Sequence, residues 1–198
     1  DQRFSPRVWN RNFHDARIID CPDRSVVGTT FGHVADERGV HPVDAFLDLV
    51  VEHGPALRWT TVVSNHRPAV LDELSSLPEV LIGFSDAGAH LRNMAFYNVP
   101  LRLLRRANDT GFMSIERAVH RLTGELGSWF GLDAGHLRVG DRADLVIVDP
   151  EHLDASVDEV HEAPAEAFGG RPRLVNRNDA AVLATYVAGT RLFGSGEF

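Results

Sequence analysis

Residues 80–90 read VLIGFSDAGAH. Four large apolar side chains around one glycine lead into Ser85 and Asp86, and only Ala87, Gly88 and Ala89 separate that acid from His90. A run that is apolar on both faces suits a parallel strand covered by helices, so 80–86 is expected to be such a strand. In β/α proteins the C-terminal ends of parallel strands face the site of chemistry, and Asp86 stands at such an end. An aspartate there is able to ligate a hard or borderline metal, or to act as general base toward a water. The small residues after it let backbone, substrate or metal come close. The residues alone leave a second reading open, in which Asp86 caps the next turn through its own backbone. His90 is a candidate substrate contact, against a purely local turn contact.

The neighbouring segments extend this pattern. Residues 1–23 are polar and rich in Arg, and are expected to be irregular. The stretch 41–54, HPVDAFLDLVVEHG, has Pro42 in its first turn, apolar residues at Val43, Phe46, Leu47, Val50 and Val51, and Gly54 at its end, which predicts a helix. Residues 57–65, LRWTTVVSN, are β-branched and aromatic and predict a strand that ends on Asn65, with His66 beside it. Both are further candidate substrate-binding residues. A short helix is expected over 67–77, and helices over 98–109 and 114–131, the last with Ser114 as N-cap and Gly131 past its end. Within the second of these three, Arg105 and Arg106 read as a solvated face. This alternation implies β/α units over 1–131. The character then changes to a small β module over 132–198. It has a strand at ADLVIVD, a long loop from about 150 to 179, and two strands meeting at Ala188-Gly189, a hairpin turn.

Bulk properties exclude several functions. The chain has 198 residues, 43% hydrophobic, and a net charge of −8. An acidic chain lacks the basic face that nucleic acid needs. No apolar run approaches the ~20 residues of a membrane span, and the first residues lack a signal-peptide core. All twenty basic residues are Arg, so lysine chemistry of any kind is absent. The single cysteine, Cys21, fits a reducing compartment, and a cytoplasmic location is expected. The other histidines form no His-x-His pair and read as surface or loop residues. Two parallel strands fall short of a barrel, which needs eight strands and ~250 residues, so the chain reads as the C-terminal part of something larger. Bare sheet edges invite pairing, and a homo-oligomer or association with a missing N-terminal part is expected.

Taken together, IGFSDAGAH, ERAVHRLTGELGSWFGL, GHLRVGDRADLVIVD and the closing YVAGTRLF resemble the C-terminal portion of the amidohydrolase superfamily. Within it they are most similar to the N-acyl-D-amino-acid deacylase (D-aminoacylase) branch. The pattern Arg138-x-Gly140-x-x-Ala143-Asp144-Leu145-Val146-x-x-Asp149 is general to the superfamily. The resemblance implies an α/β fold: the last part of a (β/α)8 TIM-like barrel plus strands of a small β-sandwich. It implies zinc or another divalent metal in the parent protein, with none necessarily bound to this chain. By the same resemblance Asp86 is both metal ligand and the base that takes a proton from metal-activated water and passes it to the leaving amine. The substrate is a small N-acyl-D-amino acid or related linear amide. His-x-His and the carboxylated lysine of the family are missing, so this chain alone is expected not to be competent. Two alternatives stand beside this reading: a non-catalytic α/β interaction module, and an amidohydrolase for cyclic amides of the dihydropyrimidinase kind.

Overall fold

Residues 16–18, Ala-Arg-Ile, lead into the first strand. Ala16 and Ile18 are fully buried, while Arg17 points outward and donates through Nη1 to the Gly28 carbonyl at 2.6 Å. This alternation makes a short strand, β1 (Arg17–Asp20), inside a stretch whose polar composition predicts no element. A computed structural model describes residues 12–62, 65–83, 85, 92 and 97–194. The chain divides into two units, residues 1–71 and 72–198.

In the first unit, β1 is followed by α1 (Phe31–Arg38) and α2 (Pro42–His53), then β2 (Arg58–Thr60). Thr30 Oγ1 caps α1 by accepting from the His33 amide at 3.1 Å. His41 Nδ1 does the same for α2 through the Val43 amide, with Pro42 in the first turn as predicted. The core gathers Ile18, Cys21, Phe31, Val34, Ala45, Leu49 and Leu57. Phe13 stacks on Phe46 with ring centroids 4.3 Å apart, and Trp59 meets Phe46 edge-on at 5.6 Å. The buried face of α2 differs from the predicted stripe. Ala45 and Leu49 are fully buried, whereas Leu47 is 49% and Val51 86% exposed. Ala45 and Leu49 sit where the helix meets the core, Phe46 packs at its edge, and Leu47, Val50 and Val51 look outward.

The 57–65 strand is shorter than predicted, and β2 pairs with β1 in antiparallel register, Ile18 opposite Trp59. Residues 80–83 and 85 take part in no strand. Every strand pairing among the described residues is antiparallel, against the parallel sheet expected. Positions 84 and 86 of the strand expected over 80–86 lie outside the described residues.

The helix α3 (Pro68–Ser76) straddles the unit boundary, and α4 (Val99–Thr110), α5 (Ile115–Leu122) and α6 (Gly124–Phe130) follow in the second unit. Ser114 caps α5 as predicted, Oγ accepting from the Arg117 amide at 3.2 Å. The single helix predicted over 114–131 is broken at Thr123, whose ψ of −87° leaves the helical region. Beyond it, β3 (Leu145–Val148), β6 (Val182–Val187) and β7 (Thr190–Gly194) make one antiparallel sheet in the order β3-β6-β7. The β6–β7 turn has positive φ at both Ala188 (48°) and Gly189 (80°), the geometry of a two-residue hairpin turn. The predicted loop over 150–179 instead holds a second hairpin, β4 (His161–Ala165) with β5 (Arg171–Val175). Leu104, Ala107, Ala118, Leu153, Val157 and Ala181 form one core, so α4 and α5 pack together with the turns that follow β3. The architecture is mixed α/β with small sheets.

Arg105 and Arg106 are not a solvated face. Arg105 Nη1 and Arg102 Nε each reach Asp158 at 2.6 Å, tying α4 to the turn before β4. Arg106 makes a two-pronged contact with Asp72 on α3, Nη2 to Oδ2 at 2.6 Å. The guanidinium holds the Asp72 carboxyl below its ordinary value of 3.8. A lowered carboxylate pKa contributes stability above that value, and the contribution is lost as pH falls through the lowered one. The urea midpoint of Asp72→Asn is therefore expected to fall below the parent's at pH 7. The gap should close as both are titrated below about 3.8. A gap independent of pH would show that the pair contributes through shape alone.

Candidate functional site

Of the residues that the sequence marks, Asp86 and His90 lie outside the described residues. Asn65 and His66 belong to the first unit, and both are exposed. Asn65 has φ of 57°, a left-handed conformation that Asn tolerates better than most residues. Among the described residues, no group of three or more His, Cys, Asp or Glu side chains comes together in a way that could hold a metal ion.

The second unit contains the run that leads toward Asp86. After α3 the Val80 amide donates to the Leu77 carbonyl at 3.3 Å, which turns the chain. Ile82, Gly83 and Ser85 then line a cavity of about 120 Å³, with Tyr97, Val99 and Leu122 on its other walls. The first turn of α4 and the last residue of α5 thus meet the irregular run. Sites that enclose a small organic ligand measure about 300–1,000 Å³, so this cavity is a corner of such a site at most.

Among the described residues of the unit, the best-buried charge contacts the start of this run. Arg121 on α5 is fully buried. Its Nη1 donates to Glu125 Oε1 at 3.1 Å, and its Nη2 donates to the carbonyl of Val80. Arg121 Nε and Glu125 Oε2 are buried without a hydrogen-bond partner. Sequence reasoning did not single this pair out. An Arg four residues before a Glu on a helix is a pattern that usually marks a solvated face.

The Arg-x-Gly pattern at 138–149 serves the frame. Asp141 Oδ2 accepts from the Arg138 amide at 3.0 Å and closes the turn containing Gly140. Asp144 Oδ1 accepts from the Ala188 amide at 2.7 Å, which pins the β6–β7 turn to the start of β3. Asp149 accepts from the Glu151 amide and from His152 Nδ1, both at 2.9 Å, and caps the turn after β3. The hydrogen bond from His152, with the Glu151 amide, holds the Asp149 carboxyl below its ordinary value. Each acid of the pattern thus stabilises a chain reversal in the β module, away from the cavity residues.

No family model matches the chain. Uncharacterized proteins of Mycobacterium bovis and Mycobacterium tuberculosis are 58% identical to it over 202 aligned residues, covering 99% of this chain. The chain spans 33% of the length of these curated relatives. Among solved structures, a D-aminoacylase described as defining a novel subset of amidohydrolases matches with a TM-score of 0.50 and 23% identity. A D-aminoacylase studied for the role of its binuclear metal centre matches with a TM-score of 0.50 and 22% identity. Each match covers 92% of this chain and 35% of the other. The resemblance read in the sequence is thus present in the fold: the chain is built like a portion, about a third, of a D-aminoacylase of the amidohydrolase superfamily.

Proposed function

We propose that this chain is the C-terminal part of a metal-dependent amidohydrolase that hydrolyses the amide bond of N-acyl-D-amino acids or related linear amides. The observation that carries the reading is the fold match to D-aminoacylase over 92% of the chain, together with the Ser85-Asp86 sequence at the end of the cavity-lining run. In this reading 1–131 supplies the last part of a β/α barrel and 132–198 a contribution to a β-sandwich. Asp86 takes a proton from the water that attacks the amide carbonyl. The new C–O bond forms, the C–N bond breaks, and the proton goes to the departing amine nitrogen. The products are a carboxylate and a free D-amino acid. Asn65, His66 and His90 are the candidate substrate contacts.

The side chains described here do not compose a metal site. A catalytic zinc takes three protein ligands, and among the described residues no such group exists. In this reading Asp86 is one ligand of zinc or another divalent ion, and the remaining ligands come from a longer polypeptide. The test compares the full-length polypeptide with the 198-residue chain on a panel of N-acetyl-D- and N-acetyl-L-amino acids, with metal content measured by elemental mass spectrometry. The expected result is D-selective hydrolysis and bound metal in the full-length protein, and neither in the chain. A full-length protein that binds no metal and cleaves nothing leaves the non-catalytic module.

A further inference from the structure

Arg121 is the largest fully buried side chain among the described residues. Taking a charge out of water is costly, and a buried ion pair is often replaceable by apolar residues with no loss of stability. Arg121 is therefore poorly explained as a stabiliser of α5. The pair also leaves Arg121 Nε and Glu125 Oε2 without partners, a further cost. What the guanidinium achieves is a long-range contact, from α5 to the Val80 carbonyl 41 residues earlier. The 80–83 run belongs to no strand, so its carbonyls lack the ladder bonds that would fix them. Arg121 supplies that missing partner at the first residue of the run. Leu122, the next residue on α5, lines the cavity with Ile82, Gly83 and Ser85. One helix end thus holds the run by its backbone and walls the space that it borders.

We infer that Arg121, with Glu125 as its counter-charge, is a positioning residue that fixes the 80–83 run. Its consequence for catalysis rests on the proposed function, in which that run leads to the general base Asp86. Arg121 acts through the backbone of this run and is given no contact with substrate. A rigid carboxylate needs a rigid approach, and an error of about 1 Å at a reacting group costs on the order of 10²-fold in rate.

The test uses the full-length polypeptide with Arg121→Met, Arg121→Lys and Glu125→Gln, read by amide hydrogen exchange and by steady-state kinetics. In Arg121→Met, exchange over 80–85 is expected to rise about tenfold or more, while the β6–β7 hairpin keeps its protection. On an N-acyl-D-amino acid, kcat should fall about 10- to 100-fold with KM within about twofold. Arg121→Lys retains one donor toward Val80 and should recover part of both effects. Should Arg121→Met fail to fold, Arg121→Lys and Glu125→Gln carry the same comparison with smaller shifts. Unchanged exchange over 80–85, or an equal rise in every peptide, overturns the assignment. Should the parent protein cleave no amide, the proposed function fails, and the exchange data alone decide what Arg121 does.

Discussion

Gly135→Ala is expected to cost the second unit about 2–6 kcal/mol, a large share of the ~5–15 kcal/mol that holds a domain together. Two effects combine. Gly135 has φ of +89°, where an L side chain is strained by about 1–3 kcal/mol. A Cβ at this position would also stand 2.5 Å from the Thr123 carbonyl oxygen and 3.1 Å from the Gly124 amide nitrogen. Those atoms are backbone at the junction of α5 and α6. They are fixed by Thr123 N donating to His120 O at 3.2 Å and by Gly127 N donating to Thr123 O at 2.9 Å. Neither is able to yield without opening a helix end, so overpacking adds about 1–3 kcal/mol. Gly127 meets the same strand of chain from the other side, since a methyl there would fall inside the Ala134 carbonyl. The 134–135 segment therefore lies directly on helix backbone, and only glycine allows that approach. Gly140→Ala is the control: φ is +97° but nothing lies within 4 Å of the added carbon. It should lose only the strain share. Urea unfolding followed by Trp fluorescence reads both variants, and equal losses would show that the close contact contributes nothing.

The segments that the sequence predicts well are those whose signals are local. Pro42 and Gly54 bracket α2, Ser114 opens α5, and Ala188-Gly189 turns the last hairpin. The β4–β5 hairpin was hidden because each strand carries a proline, Pro164 opposite Pro172, and proline argues against a strand. A two-stranded ribbon tolerates them, since each strand keeps one free edge where no amide is needed. Arg105 also pairs locally with Asp109, but the partners that bury Arg105 and Arg106 against other elements, Asp158 and Asp72, lie 53 and 34 residues away, and both were misread. Arg121 was missed for the same reason, its second partner being a backbone carbonyl rather than a residue type. The strand predicted over 80–86 shows the converse failure. Its apolar run is real, but pairing depends on a neighbouring strand that no local signal supplies, and the described residues 80–83 and 85 pair with none. The exposed apolar residues of α2, Leu47, Val50 and Val51, show that an apolar stripe indicates burial without saying against what.

Asp86→Asn in the full-length polypeptide is expected to lower kcat for N-acyl-D-amino acids by about 10²- to 10⁴-fold, with KM little changed. Asparagine keeps the size and one oxygen of the aspartate but takes no proton at neutral pH. Both proton movements of the proposed reaction then lose their carrier, from water at attack and to nitrogen at departure. The pH profile separates this from a loss of shape. A general base must be ionised, so the parent's kcat/KM falls as pH drops through the pKa of Asp86, and Asp86→Asn should lack that acid limb. Asp86→Glu keeps the base but displaces it, and should retain the limb at a reduced rate. The competing reading gives Asp86 only a turn to cap. It then predicts activity within about twofold of the parent and a stability loss of about 1 kcal/mol in Asp86→Asn, as for other lost side-chain caps. The two readings thus move different observables. A variant that is fully active but melts earlier would remove the one catalytic side chain that this chain is proposed to supply, and with it the case for acid–base chemistry by these 198 residues.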